Sequence, residues 1–195
     1  MKTRTFAGLL VAVAIAFMAG CTSPLTLRDT YKAPGSIKHS NARKHPIAAT
    51  TQCVVHLAVV TDHRTDPSLL GIVAGRSVSS PGQGPQWIAG LLSAGLAHHG
   101  VHVSEALPDA TSKHVVVEEV RLLKAWVASV STSMNSSIVV GVSQLDGAEE
   151  RIYRGARTSL NWANGDGEIQ ALFDSAVEEL VIKLSADLTS QCASM

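Results

Sequence analysis

The stretch VVVEEVRLLKAWVASVSTSMNSSIVVGVSQLDGAEERIYRGART, residues 115–158, decides the fold class. Val115 to Val130 is rich in β-branched residues and reads as one long strand. Ser131 to Ser133 reads as a bend or bulge, and Ser137 to Leu145 as a second strand. Asp146-Gly147 is the dipeptide of a tight hairpin turn, whose two central positions need positive φ. Arg151 to Thr158 then forms a third strand, with Arg151, Tyr153, Gly155 and Arg157 on one face by the two-residue period. The pattern predicts an antiparallel meander with one wetter face.

On the C-terminal side, Asn161 to Glu168 leads into a helix, with Asp166 as its cap and Glu168 complementing the dipole in the first turn. Ile169, Leu172, Phe173, Ala176, Val177, Leu180, Leu184 and Leu188 make one apolar stripe. Gln170, Asp174, Glu178 and Lys183 lie off it. On the N-terminal side, Cys53 to Val60 is a β-branched run that suits a strand buried on both faces. Asp62 to Pro67 breaks it with turn chemistry. Leu69 to Val73 is a short strand ending at Gly75-Arg76, and Ser79 to Pro85 is a loop.

Pro85 suits the first turn of a helix carrying Trp87, Ile88, Leu91, Leu92 and Leu96, and Gly100 stops that helix. Gly90 and Gly95 inside it each cost about 1 kcal/mol relative to Ala, which predicts close packing against the sheet. Val101 to Val103 resumes as a strand. The order β-β-α-β-β-β-β-α predicts an α+β domain, with one mixed or antiparallel sheet carrying two helices on one face.

Ahead of this domain, Lys2 and Arg4 precede an uncharged apolar run from Phe6 to Met18, followed by Ala19-Gly20-Cys21. That is the layout of a secretory leader. The run is short of the roughly 20 residues that span a bilayer. Met18-Ala19-Gly20-Cys21 resembles the lipobox of bacterial lipoproteins, which implies cleavage before Cys21 and acylation of its thiol. Thr22 is not the aspartate that retains such proteins in the inner membrane, so the resemblance implies the outer membrane, facing the periplasm. More than one acyl chain is needed for stable anchoring, at about 0.8 kcal/mol per buried methylene. The organisation expected is a signal peptide over 1–20, a lipidated N-terminus and flexible basic tether over 21–51, and a periplasmic domain over 52–192.

Charge follows the same division. The formal net charge is zero, yet beyond Gln52 the chain carries 9 Lys/Arg against 15 Asp/Glu. An acidic domain argues against nucleic acid as a partner. The basic residues before it (Arg28, Lys32, Lys38, Arg43 and Lys44) sit among Pro, Ser and Thr without hydrophobic period, as in a solvated spacer. With Cys21 assigned to lipid, Cys53 and Cys192 remain. In an oxidising compartment they form a disulfide joining the first strand to the end of the last helix, or persist as two thiols; both readings stand at this point.

The Cys21 lipobox, the first strand running into Asp62-His63-Arg64-Thr65-Asp66, and a helix ending His99-Gly100-Val101 are followed by a meander with Tyr153-Arg154-Gly155 and an amphipathic closing helix. In this order, over about residues 50–190, these features resemble the YajG-like family of small Gram-negative outer-membrane lipoproteins. The resemblance implies a lipid-anchored periplasmic α+β domain without an established activity, and it carries no site residues across.

Candidate chemistry is sparse. Asp62, His63, Arg64 and Asp66 are the best polar cluster, set against a loop held by an Asp–Arg pair with Pro67 shaping the turn. His98, His99 and His102 are close in sequence, but a helix ending at Gly100 keeps His98 and His102 off a common face. No HExxH, CxxC, nucleophile elbow or P-loop occurs. Asn161, Asn164, Asp166 and Glu168 lack the spacing of a calcium loop and read as helix entry. The Ser129, Ser131, Ser133 row reads as a polar strand end or edge. Trp126 and Trp162 are the aromatics suited to anchor a partner. The expectation is a non-catalytic, lipid-anchored envelope protein, without metal or cofactor, that interacts with an envelope protein or supports outer-membrane assembly. The alternative is a binder of lipid or another small apolar ligand in an enclosed cavity of about 300 Å³ or more.

Overall fold

In the computed structural model, residues 23–33, 53–104, 114–144, 149–160 and 163–195 are described. The leader, Cys21, the Asp146-Gly147 turn and Trp162 lie outside them. The elements are β1 (Leu25–Thr26), β2 (Cys53–Asp62), β3 (Leu69–Val73), β4 (Arg76–Ser79), α1 (Gly84–His98), β5 (Val101–Ser104), β6 (Val115–Val130), β7 (Ser133–Gln144), β8 (Arg151–Leu160) and α2 (Asp166–Ser194).

The fold is α+β, as the sequence pattern predicts, but it holds two mixed sheets rather than one. The larger has the order β5-β2-β6-β7-β8 and the smaller β1-β4-β3. In the larger, β2 runs parallel to both β5 and β6, while β6, β7 and β8 form the antiparallel meander. The smaller sheet arises from two strands too brief to show a period. β4 carries one apolar residue, Val78, which is fully buried, and β1 pairs Leu25 with Val78 in parallel. The β3–β4 hairpin packs on β6.

β6 explains how one 16-residue strand keeps its buried set through a broken alternation. Its buried residues are Val115 and Val117, then Val120 and Leu122, then Ala125 and Val127. Irregularities lie between 117 and 119 and between 122 and 124. A bulge inserts one residue, so the phase of the buried positions shifts at each.

Two expectations change at the sheet. β2 is buried at Cys53, Val55 and His56 but opens to solvent further along, with Val59 50% exposed, so its apolar run is not enclosed on both faces. On β8, Tyr153 and Gly155 are buried against α2, and their face is not the wet one. The Tyr153 hydroxyl and Arg151 both donate to Asp187 of α2. The α2 backbone comes so near β8 that a Cβ on Gly155 would lie 1.8 Å from the Ala176 carbonyl oxygen.

The helices touch each other as well as the larger sheet. Trp87 of α1 stacks on Phe173 of α2, ring centroids 5.4 Å apart, a contact of about 0.5–1.5 kcal/mol beyond the area it buries. Gly95 admits Val181 of α2 rather than the sheet, whereas Gly90 has nothing within 4 Å of a built Cβ. At the start of α2, Gly165 and not Asp166 is the cap. Glu168 accepts the N–H groups of Ala163 and Gly165, and Asp166 pairs with Arg76.

The tether expected over 21–51 is folded against the domain across its described part. Leu25 and Leu27 are buried in the core. Arg28 N donates to Gln170 Oε1 at 2.7 Å and the Tyr31 hydroxyl donates to Glu178. Gln170, Asp174 and Glu178 recur every four residues along α2, so the polar residues off its apolar stripe are a second docking face. Gln170 and Asp174 are each only 6% exposed. At the opposite end of α2, Cys53 and Cys192 are bonded, with Cα atoms 5.7 Å apart. Closing a loop of 139 residues contributes about 5 kcal/mol on the chain-entropy account.

Two predictions follow from this packing. Gly155→Ala is expected to destabilise the domain by about 1–3 kcal/mol through overpacking, while Gly90→Ala stabilises it by up to about 1 kcal/mol; urea unfolding of both variants checks the pair. Burial outweighs the Gln170 hydrogen bond and the nearby Arg28 and Lys32 charges, holding the Asp174 carboxyl above its ordinary 3.8. A group raised in this way contributes stability that is complete below its unfolded value, about 3.9, and lost as pH rises through the folded value. Asp174→Asn, neutral and still able to accept from Gln170, should therefore raise the melting temperature by a few degrees near neutral pH. The gain should vanish when the melts are repeated below the unfolded value.

Candidate functional site

The loop leaving β2 turns back on itself around an internal Asp62–Arg64 ion pair. Arg64 Nη2 lies 2.6 Å from Asp62 Oδ2, and Arg64 Nε donates to Asp62 Oδ1 at 2.9 Å. The two side chains are 4% and 6% exposed. Arg64 Nη2 also donates to the Pro67 carbonyl at 2.6 Å, which accepts Ser80 Oγ as well. The guanidinium carbon lies 5.9 Å from the centre of the Trp87 ring. Gly84, first residue of α1, lies against the pair: a Cβ there would be 2.0 Å from Asp62 Oδ2. A carboxylate is favoured at a helix N-terminus.

Burial by itself would raise the Asp62 pKa, but the hydrogen bonds and charge of Arg64 outweigh it and hold the carboxyl below its usual range. Asp66 faces outward and closes its own turn, accepting from Ser68 N, Ser68 Oγ and Leu69 N. The Ser68 bonds, chiefly from its side chain, lower the Asp66 pKa. His63 is exposed. The four residues therefore divide: Asp62 and Arg64 form a buried latch between β2 and α1, Asp66 builds a turn, and His63 points to solvent.

Beside this loop a groove of about 380 Å³ runs between Arg64, Asp66, Leu70 and β6, where Lys124 and Trp126 line its wall. Trp126 is half-buried, with the Lys124 ammonium 5.6 Å from its ring centre. The groove thus brings together the polar cluster and one of the two aromatics singled out in the sequence. Trp162 lies outside the described residues. A second pocket, about 350 Å³, opens at the other end of the domain between His114, Gln144, Gln191 and Met195. Both are open to solvent, with polar groups in their walls.

The histidines separate as helix geometry dictates. His99 Nε2 meets Glu178 Oε1 at 3.0 Å, His98 stands edge-on to it and exposed, and His102 is exposed on β5. Among the described residues no three His, Cys, Asp or Glu side chains are grouped to hold a metal. No described helix is long and apolar enough to cross a membrane. The feature least visible in the sequence is the seat of the N-terminal segment on α2. The four-residue spacing of Gln170, Asp174 and Glu178 was the available signal, together with two basic residues in the segment that meets it.

The buried latch and the exposed histidine give opposite expectations. Arg64→Met strands the Asp62 carboxylate and should cost about 3–5 kcal/mol, whereas His63→Ala should change stability by no more than about 0.5 kcal/mol. Denaturant unfolding at neutral pH measures both.

No protein-family model matches the chain, and no curated protein is significantly similar to it. Among solved structures, two that overlap most of the chain do so at low similarity. Lipoprotein GNA1162 of Neisseria meningitidis is similar at 8% identity and a TM-score of 0.33, over 73% of this chain and 99% of that one. PelC of Paraburkholderia phytofirmans, a dodecamer, is similar at 10% identity and a TM-score of 0.37, over 68% and 92% of the two chains. Such identities carry no residue roles across.

Proposed function

We propose that this is a non-catalytic, YajG-like outer-membrane lipoprotein, acylated at Cys21, whose periplasm-facing domain serves protein interaction or outer-membrane assembly and maintenance. The observation that carries the reading is Met18-Ala19-Gly20-Cys21 at the end of an uncharged apolar run behind Lys2 and Arg4. The Cys53–Cys192 bond supports it, because disulfides persist in oxidising compartments such as the periplasm. The internal commitments of Asp62, Arg64 and Asp66 support a structural rather than a chemical role for that loop. The apolar-ligand alternative asks for an enclosed apolar cavity, and the open, partly polar pockets at Arg64–Trp126 and His114–Met195 do not favour it.

Two measurements test the proposal. Wild-type protein should fractionate with membranes and yield an N-terminal peptide carrying the mass of acylated Cys21, while Cys21→Ser should appear in the soluble periplasmic fraction. An unmodified wild-type N-terminus overturns the anchor. Crosslinking in cells should recover a reproducible envelope partner; its absence under several growth conditions counts against the interaction role.

A further inference from the structure

We infer that one end of the domain is a membrane-seating face: the ends of β6 and β8, with Val130 and Leu160, rest on the headgroup layer of the bilayer that holds the Cys21 acyl chains. The inference rests on the acylation proposed above and adds an orientation to it.

Its first support is the length of chain outside the described residues and the point where that chain begins. Only Thr22 separates Cys21 from Ser23, so their Cα atoms are at most about 7 Å apart in any conformation. Ser23 is itself held. Its carbonyl accepts from Arg76 Nε at 3.2 Å, and Arg76 Nη1 pairs with Asp166 at the start of α2 at 2.9 Å. Leu25 and Leu27 bury the residues that follow. A chain clamped at Ser23 cannot let the domain drift away as a 30-residue spacer would. The lipid and the Arg76 end of the domain move together.

The second support is what shares that end. Arg76 follows the β3–β4 turn, where Ala74 N donates to Ser129 Oγ at 3.2 Å, placing the turn beside the end of β6. Val130 pairs with Ser133, and Ser133 with Leu160 on β8. Val130 and Leu160 are 63% and 61% exposed, the most exposed large apolar side chains among the described residues. The residues flanking them on β6, β7 and β8 are largely hydroxylic (Ser129, Ser131, Thr132, Ser133 and Ser159), and the charges at this end include the Arg76–Asp166 pair. No ionisable residue occurs from Ala125 to Gln144. Aliphatic side chains gain on leaving water, hydroxyls at their rim keep hydrogen-bond partners in a hydrated headgroup layer, and shallow seating of about 5–10 Å is the depth at which apolar faces rest in an interface. The row of serines at a strand end thereby acquires a setting. The disulfide end lies far from it, since α2 has 29 residues and rises about 1.5 Å per residue, roughly 43 Å in all.

The test uses full-length, acylated protein in vesicles of phosphatidylethanolamine and phosphatidylglycerol. Nitroxide labels are attached to single added cysteines, Val130→Cys, Leu160→Cys and, at the far end of β8, Ile152→Cys as reference, with flotation and intact mass recorded for each. Labels at 130 and 160 should lose access to a water-soluble nickel relaxant several-fold and gain access to oxygen on vesicle binding, while the label at 152 stays unchanged. Cys21→Ser protein should show no such shift. Protein that floats with all three labels still in water overturns the seating face and leaves the anchor standing. Loss of nickel access with dipolar broadening between labels assigns the face to a second copy and overturns the inference. Protein that neither floats nor carries lipid overturns the anchor and, with it, the face.

Discussion

The structure depends on α2 being buried along two stripes at once. Its apolar stripe, from Ile169 to Leu188, closes the core over β7, β8 and α1. Gly155 lets the helix backbone meet β8 without an intervening side chain. Its polar stripe would leave Gln170 and Asp174 facing solvent, were it not for the segment from Leu25 to Tyr31 lying along them. Buried amides and carboxylates are tolerated where they find hydrogen bonds and oppositely charged neighbours. Here Arg28 N, the Tyr31 hydroxyl and the Arg28 and Lys32 charges provide them. The N-terminal segment is therefore a part of the fold, and β4 exists as a paired strand because β1 and β3 flank it.

A second constraint orders the entry to α1. Taking Asp62 and Arg64 out of water is costly unless each charge meets the other, and among the described residues Arg64 Nη1 stays buried without a hydrogen-bond partner. The pair, the Pro67 carbonyl and the first turn of α1 meet at one corner, and Gly84 leaves room for the carboxylate. A cluster that in sequence looks like a reactive Asp-His-Arg-Asp group is spent on joining a strand to a helix. His63, the exposed member, stands near enough to Asp62 and Glu150 for its charge to act on both carboxyls.

Together these constraints give the domain distinct ends. The clamp of Ser23 by Arg76 and Asp166 sits at one end of α2, and the Cys53–Cys192 bond holds the other. Under the proposed acylation, the first end is bound to the membrane and the second is presented to the periplasm. The groove beside Trp126 and the pocket at His114 and Gln191 then face different surroundings.

The elements with enough length to show a period were legible in the sequence: the meander of β6 to β8, both helices with their apolar stripes, and the α+β class. Tertiary structure alone decided the rest. β1 and β4 have two and four residues, too few for alternation to register, and they persist only because partners supply their hydrogen bonds. The phase of β6 depends on bulges that pairing imposes. Gly95 and Gly90 look alike in sequence and differ only in whether Val181 stands opposite. Cys53 and Cys192 were a possible pair by elimination, and a bond required Cα atoms within reach. The docking of residues 23–33 was hidden because a polar stripe and a basic segment each read as solvent-exposed until they are placed against one another.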